Sequence, residues 1–433
     1  MDRRLPKGPS AFVFVRSLFD LSYTLADIAR EYGDLFTFPS PFGPVVVTCS
    51  PEGNKAIFSA DPDTFAASSA DVLSGIFDSS VLVTHGAQHR RQRKLLMPPF
   101  HGARMRAYGQ LMRRVALEWA ARVEPAKPFV MVELTQNITL DVIIEAVFGV
   151  EQSESLQAFR RQIQVVLGSF SPFSLLKPLR RNFFGLSPWA RMQRNLATIA
   201  DMVTDLCQRR RATAADRQDI LSLLLQAKDE DGNGLSDKEI YDQLLTIVFA
   251  GHETTAVMLA WAFYCLHGNP DALQALHAEI DPLDEQTDPE TVARLPYLEA
   301  VLNETLRLYP PVHIIHRRLL KPLVLGEYEL QPGDAVAAGT FATHRMASLY
   351  PEPDRFLPQR FIDRSYSAFE FLPWGGGARR CLGAAFAMYE MKLVLFALLK
   401  RYRFTLLDTG PVGFVHRPGT VGPKGGIRMM IPG

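Results

Sequence analysis

Cysteine is scarce in this chain, and the few that occur stand apart. Cys49, Cys207, Cys265 and Cys381 are the four among 433 residues, and none belongs to a C-x-x-C pair. That spacing argues against a disulfide framework, a zinc site or a redox disulfide, and it suits a reducing cytosol, so a cytoplasmic protein is expected. Surplus charge is missing too. The 47 Lys and Arg against 46 Asp and Glu leave a formal net charge of +1, so no global field draws the chain to nucleic acid. Any anionic partner would have to use a local basic patch. The opening has no long apolar run. The first, residues 11–15, falls far short of the ~20 residues that cross a bilayer and lacks a signal-peptide layout, so no membrane anchor is expected. Repeats, low-complexity tracts and convincing linkers are also absent. The Arg-rich stretch 209–217 is the best boundary candidate, and it reads equally well as a polar helix end and loop.

What is there is an ordinary globular balance, 47% hydrophobic and 21% charged. Residues 34–50 have β-rich runs around Pro39 to Pro44, which suggests a hairpin. A second β-rich region covers 321–341, with a turn at Gln331-Pro332-Gly333-Asp334, and the tail from Tyr402 reads as short strands and turns. Between these lie long helical patterns. The expectation is a mainly α protein with small β-sheets (α+β), formed as a single domain over residues 1–433.

One helical pattern is exceptional. Ser236-Asp237-Lys238-Glu239 is a capping box, apolar helix formers continue to Leu266, and Gly268-Asn269-Pro270 stops them. That is about 30 residues, or ~45 Å at 1.5 Å per residue. It is apolar on most sides and should run through the core. Its middle carries Ala250-Gly251-His252-Glu253-Thr254-Thr255. A mid-helix Gly costs about 1 kcal/mol relative to Ala. A buried Glu costs more unless paired or protonated. An apolar core helix has no structural need of either, so the combination marks a site. Beyond it, Asn269 is expected to cap the next helix and Pro270 to start it. Pro296 starts another, ending at Pro310-Pro311, with Glu304 and Arg307 on one face.

The second marked segment is Phe371-Leu-Pro-Trp-Gly-Gly-Gly-Ala-Arg-Arg-Cys-Leu-Gly383. Three glycines let the backbone lie flat against something bulky. Cys381 then precedes a strong helix pattern, where free N–H groups favour a thiolate. A thiolate is what a haem iron needs as an axial ligand. Taken alone, such a cysteine also reads as a buried core residue after a glycine turn.

Trp374 to Gly383, read as W-G-x-G-x-R-x-C-x-G, closely resembles the haem-binding signature of the cytochrome P450 family. Ala250 to Thr255 is similar to the family's A-G-x-[DE]-T-T, Glu304-Thr305-Leu306-Arg307 to E-x-x-R, and Pro358-Gln359-Arg360-Phe361 to P-x-R-F, with Gln359 where Glu is commoner. The motifs fall in the family's order, and the Leu5-Pro6-Lys7-Gly8-Pro9 opening is similar too. The resemblance implies the family's triangular fold, with the long central helix crossing a haem b whose iron is bound by Cys381. It implies a cofactor site of Ala250, Trp374, Gly375, Arg379, Cys381 and Gly383. His89, Arg93, Arg317 and Arg379 would meet the haem propionates. Trp374 stands where Phe is usual, and its indole N–H either reaches the sulfur or simply packs.

The same resemblance assigns proton delivery to Glu253 and Thr254, with Gly251 letting the helix loosen for oxygen and water. Thr254 could instead bond back to its own helix. Glu304, Arg307 and Arg360 should form a structural ion-pair cluster. Residues 65–83 and 167–189, with Phe77, Phe249, Ala250, Val312 and Ile314, are the candidate substrate pocket. Their apolar character suits a fatty acid, terpenoid, steroid-like molecule or polyketide. Arg180 and Arg181 read as a carboxylate anchor or a solvated loop. The expected reaction is insertion of one oxygen atom from O2 by hydroxylation or epoxidation. Electrons would come from a separate ferredoxin or flavodoxin docking on Arg90, Arg91, Lys94, Arg104, Arg106 and Arg380. A monomer is expected. The competing readings are a haem-thiolate peroxygenase or isomerase needing no electron donor, and a ligand carrier without chemistry.

Overall fold

A computed structural model describes the chain except for residues 1–4, 11, 14–20, 41–42, 68–72, 101, 150–153, 170–179, 183, 213–216 and 418. Helices dominate, and the longest is the central one, Asp237–His267. Its capping box forms as the sequence predicts: the Glu239 N–H donates to Ser236 Oγ at 3.2 Å and the Ser236 N–H to Glu239 Oε2 at 3.0 Å. The helix packs along Met131–Phe148, where the Thr135 hydroxyl donates to the Ala256 carbonyl at 2.9 Å. Trp261, fully buried, stacks on Tyr309 with ring centroids 3.9 Å apart. By length and composition this helix alone among the described residues could cross a membrane. Two-thirds of its most apolar window is buried inside the protein, so it serves as a core helix.

Asn269 departs from expectation. It precedes the helix Pro270–Ile280, yet its side chain makes no cap there and donates to the Cys265 carbonyl at 2.7 Å. It closes the last turn of the central helix, whose terminal carbonyls lack partners of their own.

The sheets gather small stretches from distant parts of the chain. The expected hairpin forms from Leu35–Phe38 and Val45–Thr48. Val45–Thr48 pairs in parallel with Ala335–Ala338, which pairs with Ile315–Leu319, and Phe65–Ala66 closes the five-stranded sheet. Strand Ile315–Leu319 begins six residues before the β-rich region read from the sequence. That region itself divides between this sheet and a separate hairpin, Leu323–Leu325 with Tyr328–Leu330. The turn at 331–334 is present, with Gly333 at φ +94° and the Asp334 N–H on the Gln331 carbonyl at 3.0 Å. In the tail, Phe414–Arg417 and Thr420–Pro423 form a hairpin, and Arg428–Met430 joins Pro128–Val130 and Thr405–Leu406. The tail hairpin is fixed where the Val421 N–H and the Thr420 hydroxyl both donate to the Pro311 carbonyl at 3.0 Å. The Arg-rich stretch begins as the end of helix Pro188–Ala212, and Arg210 is tied inward to Asp219 at 2.8 Å.

Candidate active site

The cysteine loop is shaped from both ends. Leu372 donates its N–H to His344 Nε2 at 2.9 Å, and Gly375 follows at φ +65°. The bulk against which the glycines lie flat is Phe58, on helix Pro51–Ser59. A side-chain carbon on Gly376 would fall 2.5 Å from that ring, and one on Gly377, at φ +64°, 2.3 Å from the Phe58 carbonyl oxygen. The Cys381 N–H then donates to the Trp374 carbonyl at 2.8 Å. Gly383 is the N-cap of helix Ala384–Arg401, which places the thiol two residues before the cap. Among the described residues the Trp374 indole makes no hydrogen bond to this sulfur; the link runs through its backbone carbonyl.

Cys381 reaches solvent although protein surrounds it closely. Burial raises its pKa above the usual thiol value, and the Gly383 N–H, Arg380 and Arg93 recover only part of that. The helix start was expected to favour a thiolate, and by itself it does not prevail over desolvation. A bound cation would, since a coordinating thiol loses its proton outright.

Four basic groups converge beside this loop. His89 and Arg93 project from helix Gly86–Leu96, Arg317 from strand Ile315–Leu319, and Arg379 from the loop itself. His89 is pushed down to about 4 by burial and then by Arg379, Arg93 and Arg317, so it is neutral at pH 7. Arg317 falls to about 10 through burial and the Arg379 charge. Burial and Arg93 lower Arg379 as well. Among the described residues Arg93, Arg317 and Arg379 form no ion pair with a carboxylate. Arg379 donates to the Thr84 carbonyl at 2.6 Å and Arg317 to the His316 carbonyl at 2.8 Å. Half-buried cations without counter-charges are costly and favour an external anion. This donor set beside an accessible thiol fits a haem, whose propionates the basic corner would hold and whose iron the sulfur would bind.

On the central helix, the Thr254 hydroxyl donates to the Ala250 carbonyl at 2.7 Å, bonding back to its own helix and leaving its lone pairs free to accept. Glu253 points elsewhere. Its Oε2 accepts from Gln136 Nε2 at 2.7 Å, its Oε1 pairs with Arg417 at 3.0 Å, and His252 Nε2 lies 3.9 Å away. These groups, with Glu133, Asn137 and Phe249, line a cleft of about 450 Å³. The helix is unbroken through Gly251, where a side-chain carbon would approach Ile143 to 3.2 Å. In this structure the glycine allows two helices to meet closely and opens no gap. Sequence reading missed Gln136 and Arg417, because each lies in an unremarkable local stretch more than 110 positions from Glu253.

The apolar candidates scatter. Phe77 is 1% exposed and touches Phe249 at 5.8 Å between ring centroids, so it backs the site from the core. Val312 is exposed, while Ile314 packs with Leu25 and Phe36 against the sheet. Residues 68–72, 170–179 and 183 of the expected pocket lie outside the described residues. Arg180 donates to the Ser74 carbonyl at 2.7 Å and covers the Trp189 ring, which accounts for it without a ligand.

In the expected basic docking patch most of the cations have acidic partners. Arg90 pairs with Asp63 at 2.8 Å, Arg91 with Asp229 at 2.6 Å, Lys94 with Glu230 and Arg106 with Glu290. Acidic residues remote in sequence neutralise most of it. Arg380 remains exposed without an ion pair among the described residues, and the Arg104 side chain lies outside them.

Glu304 and Arg307, both without solvent exposure, pair through two hydrogen bonds of 2.6 and 2.8 Å. Arg360 adds a third to Glu304 at 3.1 Å, and the Leu357 N–H a fourth at 2.9 Å. Arg307 also donates to the carbonyls of His344, Pro353 and Arg355. This knot fixes the chain that leads into the cysteine loop.

A helical protein with small sheets, a thiol ringed by cations and a long helix bearing an accessible hydroxyl defines the haem-thiolate class. The chain belongs to the cytochrome P450 family, whose model matches residues 6–429. Its relatives include "Putative cytochrome P450 137" of Mycobacterium tuberculosis, 34% identical over 98% of this chain and 90% of that one. "Putative cytochrome P450 138" of Mycobacterium bovis is 35% identical over 99% and 96%. Among solved structures, the retinoic acid-bound cyanobacterial CYP120A1 superposes with a TM-score of 0.83 at 26% identity, covering 96% of this chain and 95% of that one. Family membership makes the protein a haem-dependent oxidoreductase of the monooxygenase kind.

Proposed function

We propose that the chain, as a single domain, inserts one oxygen atom from O2 into a largely apolar small molecule by hydroxylation or epoxidation. Electrons come from a separate ferredoxin or flavodoxin. The observation that carries this reading is the corner of Arg93, Arg317 and Arg379, which meet no carboxylate among the described residues, beside neutral His89 and Cys381. Haem b, when bound there, supplies oxygen activation and accepts the donated electrons. Arg93, Arg317 and Arg379 would hold its propionates, and Cys381 would hold its iron. Arg380 is the cation left open for an acidic electron donor.

Protons reach the reacting oxygen through the protein. The Thr254 hydroxyl, anchored on Ala250, accepts a proton from water and passes one on. Glu253 gathers protons from the cleft, held there by Arg417 and Gln136. Its carboxylate turns, or a water bridges it, to connect with Thr254. The substrate lies against Phe249 and Val312. Fatty acid, terpenoid, steroid-like and polyketide molecules suit that lining, and the bound retinoic acid of the structural relative supports an apolar ligand. The test is the carbonmonoxy spectrum of the dithionite-reduced protein beside Cys381→Ser. A strongly red-shifted Soret band in the wild type, lost in the variant, is expected. A globin-like band in the wild type would refute the thiolate assignment.

A further inference from the structure

A buried polar network, unused by the reaction above, joins the central helix to the basic corner. Asp242 Oδ2 accepts the Ser79 N–H at 2.7 Å, and Gln243 Oε1 accepts the Val81 N–H at 3.0 Å. Gln243 Nε2 returns a hydrogen bond to the Ser79 carbonyl at 3.0 Å. From the neighbouring helix, Gln92 Nε2 donates to that same carbonyl at 2.8 Å and to Glu239 at 3.0 Å. Gln92 Oε1 accepts the Thr84 hydroxyl at 2.8 Å, and the Thr84 carbonyl accepts the Arg379 guanidinium at 2.6 Å. Thr84, Gln92, Asp242 and Gln243 are each 5% exposed or less.

Two features give the network a purpose. Arg379 is repelled by Arg93, and among the described residues no carboxylate holds it, so its position depends on the Thr84 carbonyl. The Thr84 backbone in turn is fixed by its hydroxyl on Gln92, whose two donors and one acceptor are all in use. A buried network with every member satisfied is rigid, and it fails locally when one member is removed.

We propose that the Thr84–Gln92 pair is a positioning device that aims Arg379 at the haem propionates. It also makes the place of that cation depend on the 79–84 turn, which leads back to Phe77 and the substrate side. The proposal rests on the haem-thiolate reading. Wild-type holoenzyme must therefore first show the red-shifted carbonmonoxy band, and its absence would be the failure of that reading alone. Thr84→Val then removes the hydroxyl at nearly constant shape, and Thr84→Ser retains it. The readouts are the rate of haem transfer to excess apomyoglobin and the midpoint reduction potential of the holoenzyme. Thr84→Val is expected to lose haem about tenfold faster, equivalent to ~1.4 kcal/mol. Its potential becomes more negative as a positive charge moves away, and Thr84→Ser restores both. Should Thr84→Val not fold, Gln92→Met puts the same question from the other partner. Wild-type potential and haem-loss rate in these variants, or a lowered unfolding midpoint with an unchanged potential, would overturn the proposal.

Discussion

Replacing Arg307 by Ala should cost more stability than almost any other single change in this protein. Arg307 and Glu304 have no solvent exposure. Removing one partner of a buried ion pair typically costs about 3–5 kcal/mol. Here Glu304 keeps Arg360 and the Leu357 N–H, which moderates the loss on its side. Against that, the carbonyls of His344, Pro353 and Arg355 lose a donor together, and a buried acceptor left bare costs about 1–3 kcal/mol. A total of about 4 kcal/mol follows, a quarter or more of a typical folding stability of about 5–15 kcal/mol. Arg360→Ala, which removes one hydrogen bond to a carboxylate that keeps Arg307, should cost less, about 1–3 kcal/mol. Arg307→Lys keeps the charge but cannot reproduce the planar fork, so it recovers less than half of the loss. Denaturant unfolding of the haem-loaded variants, followed by circular dichroism, measures the order. A cost below about 1 kcal/mol for Arg307→Ala, or one smaller than that of Arg360→Ala, would refute the reasoning.

Two further outcomes concern the central helix. Glu253→Gln should lower kcat about 100-fold with little change in KM, since positioned proton transfer contributes factors of about 10²–10⁴. Arg417→Gln, which only frees the carboxylate, should fall between the variant and the wild type; steady-state kinetics with a purified donor system decide it, and a Glu253→Gln rate within about twofold of wild type removes that residue from the relay. His252 is pushed down to about 4, mainly by burial, so the folded protein keeps it neutral while the unfolded chain takes up a proton near pH 6.5. Its contribution is therefore fully present above pH 6.5 and is lost as pH falls towards 4, by an amount on the order of 3 kcal/mol. Stability curves of His252→Gln should be flatter than wild type across that window, and equal slopes would count against the assignment.

Local signals revealed a good part of this molecule. The capping box at Ser236 and the Gly268 stop delimited the central helix to within a residue, because a cap is satisfied by neighbours three positions away. The first hairpin was legible because its strands flank a short Pro-rich turn. Strand Ile315–Leu319 was not, since its partners lie at 335–338 and 65–66 and its own residues are half polar. Asn269 looked like a cap for the helix that follows it, and its side chain found a nearer acceptor behind.

Resemblance carried the site further than physics from the sequence alone could. Cys381, Thr254 and the four basic residues were all named in advance, yet nothing in the order of residues announces what they meet. Phe58 is the bulk under the glycines, Ile143 is the reason Gly251 can have no side chain without crowding, and Arg417 with Gln136 sets where Glu253 points. The pairing of the basic patch was hidden for the same reason: Asp63, Asp229, Glu230 and Glu290 are remote in sequence and adjacent in space.

The sequence by itself determined the helical class, the long core helix, the place of Cys381 before a helix and the types of side chain around it, because propensity, capping and motif spacing act over a few residues. The tertiary structure decided which charges remain without partners. Coulomb and hydrogen-bond energies depend on distance through space, and only folding sets those distances. Among the described residues, Arg93, Arg317 and Arg379 are left without a carboxylate while their neighbours Arg90, Arg91 and Lys94 are paired, and that difference is what the proposed anionic cofactor site rests on.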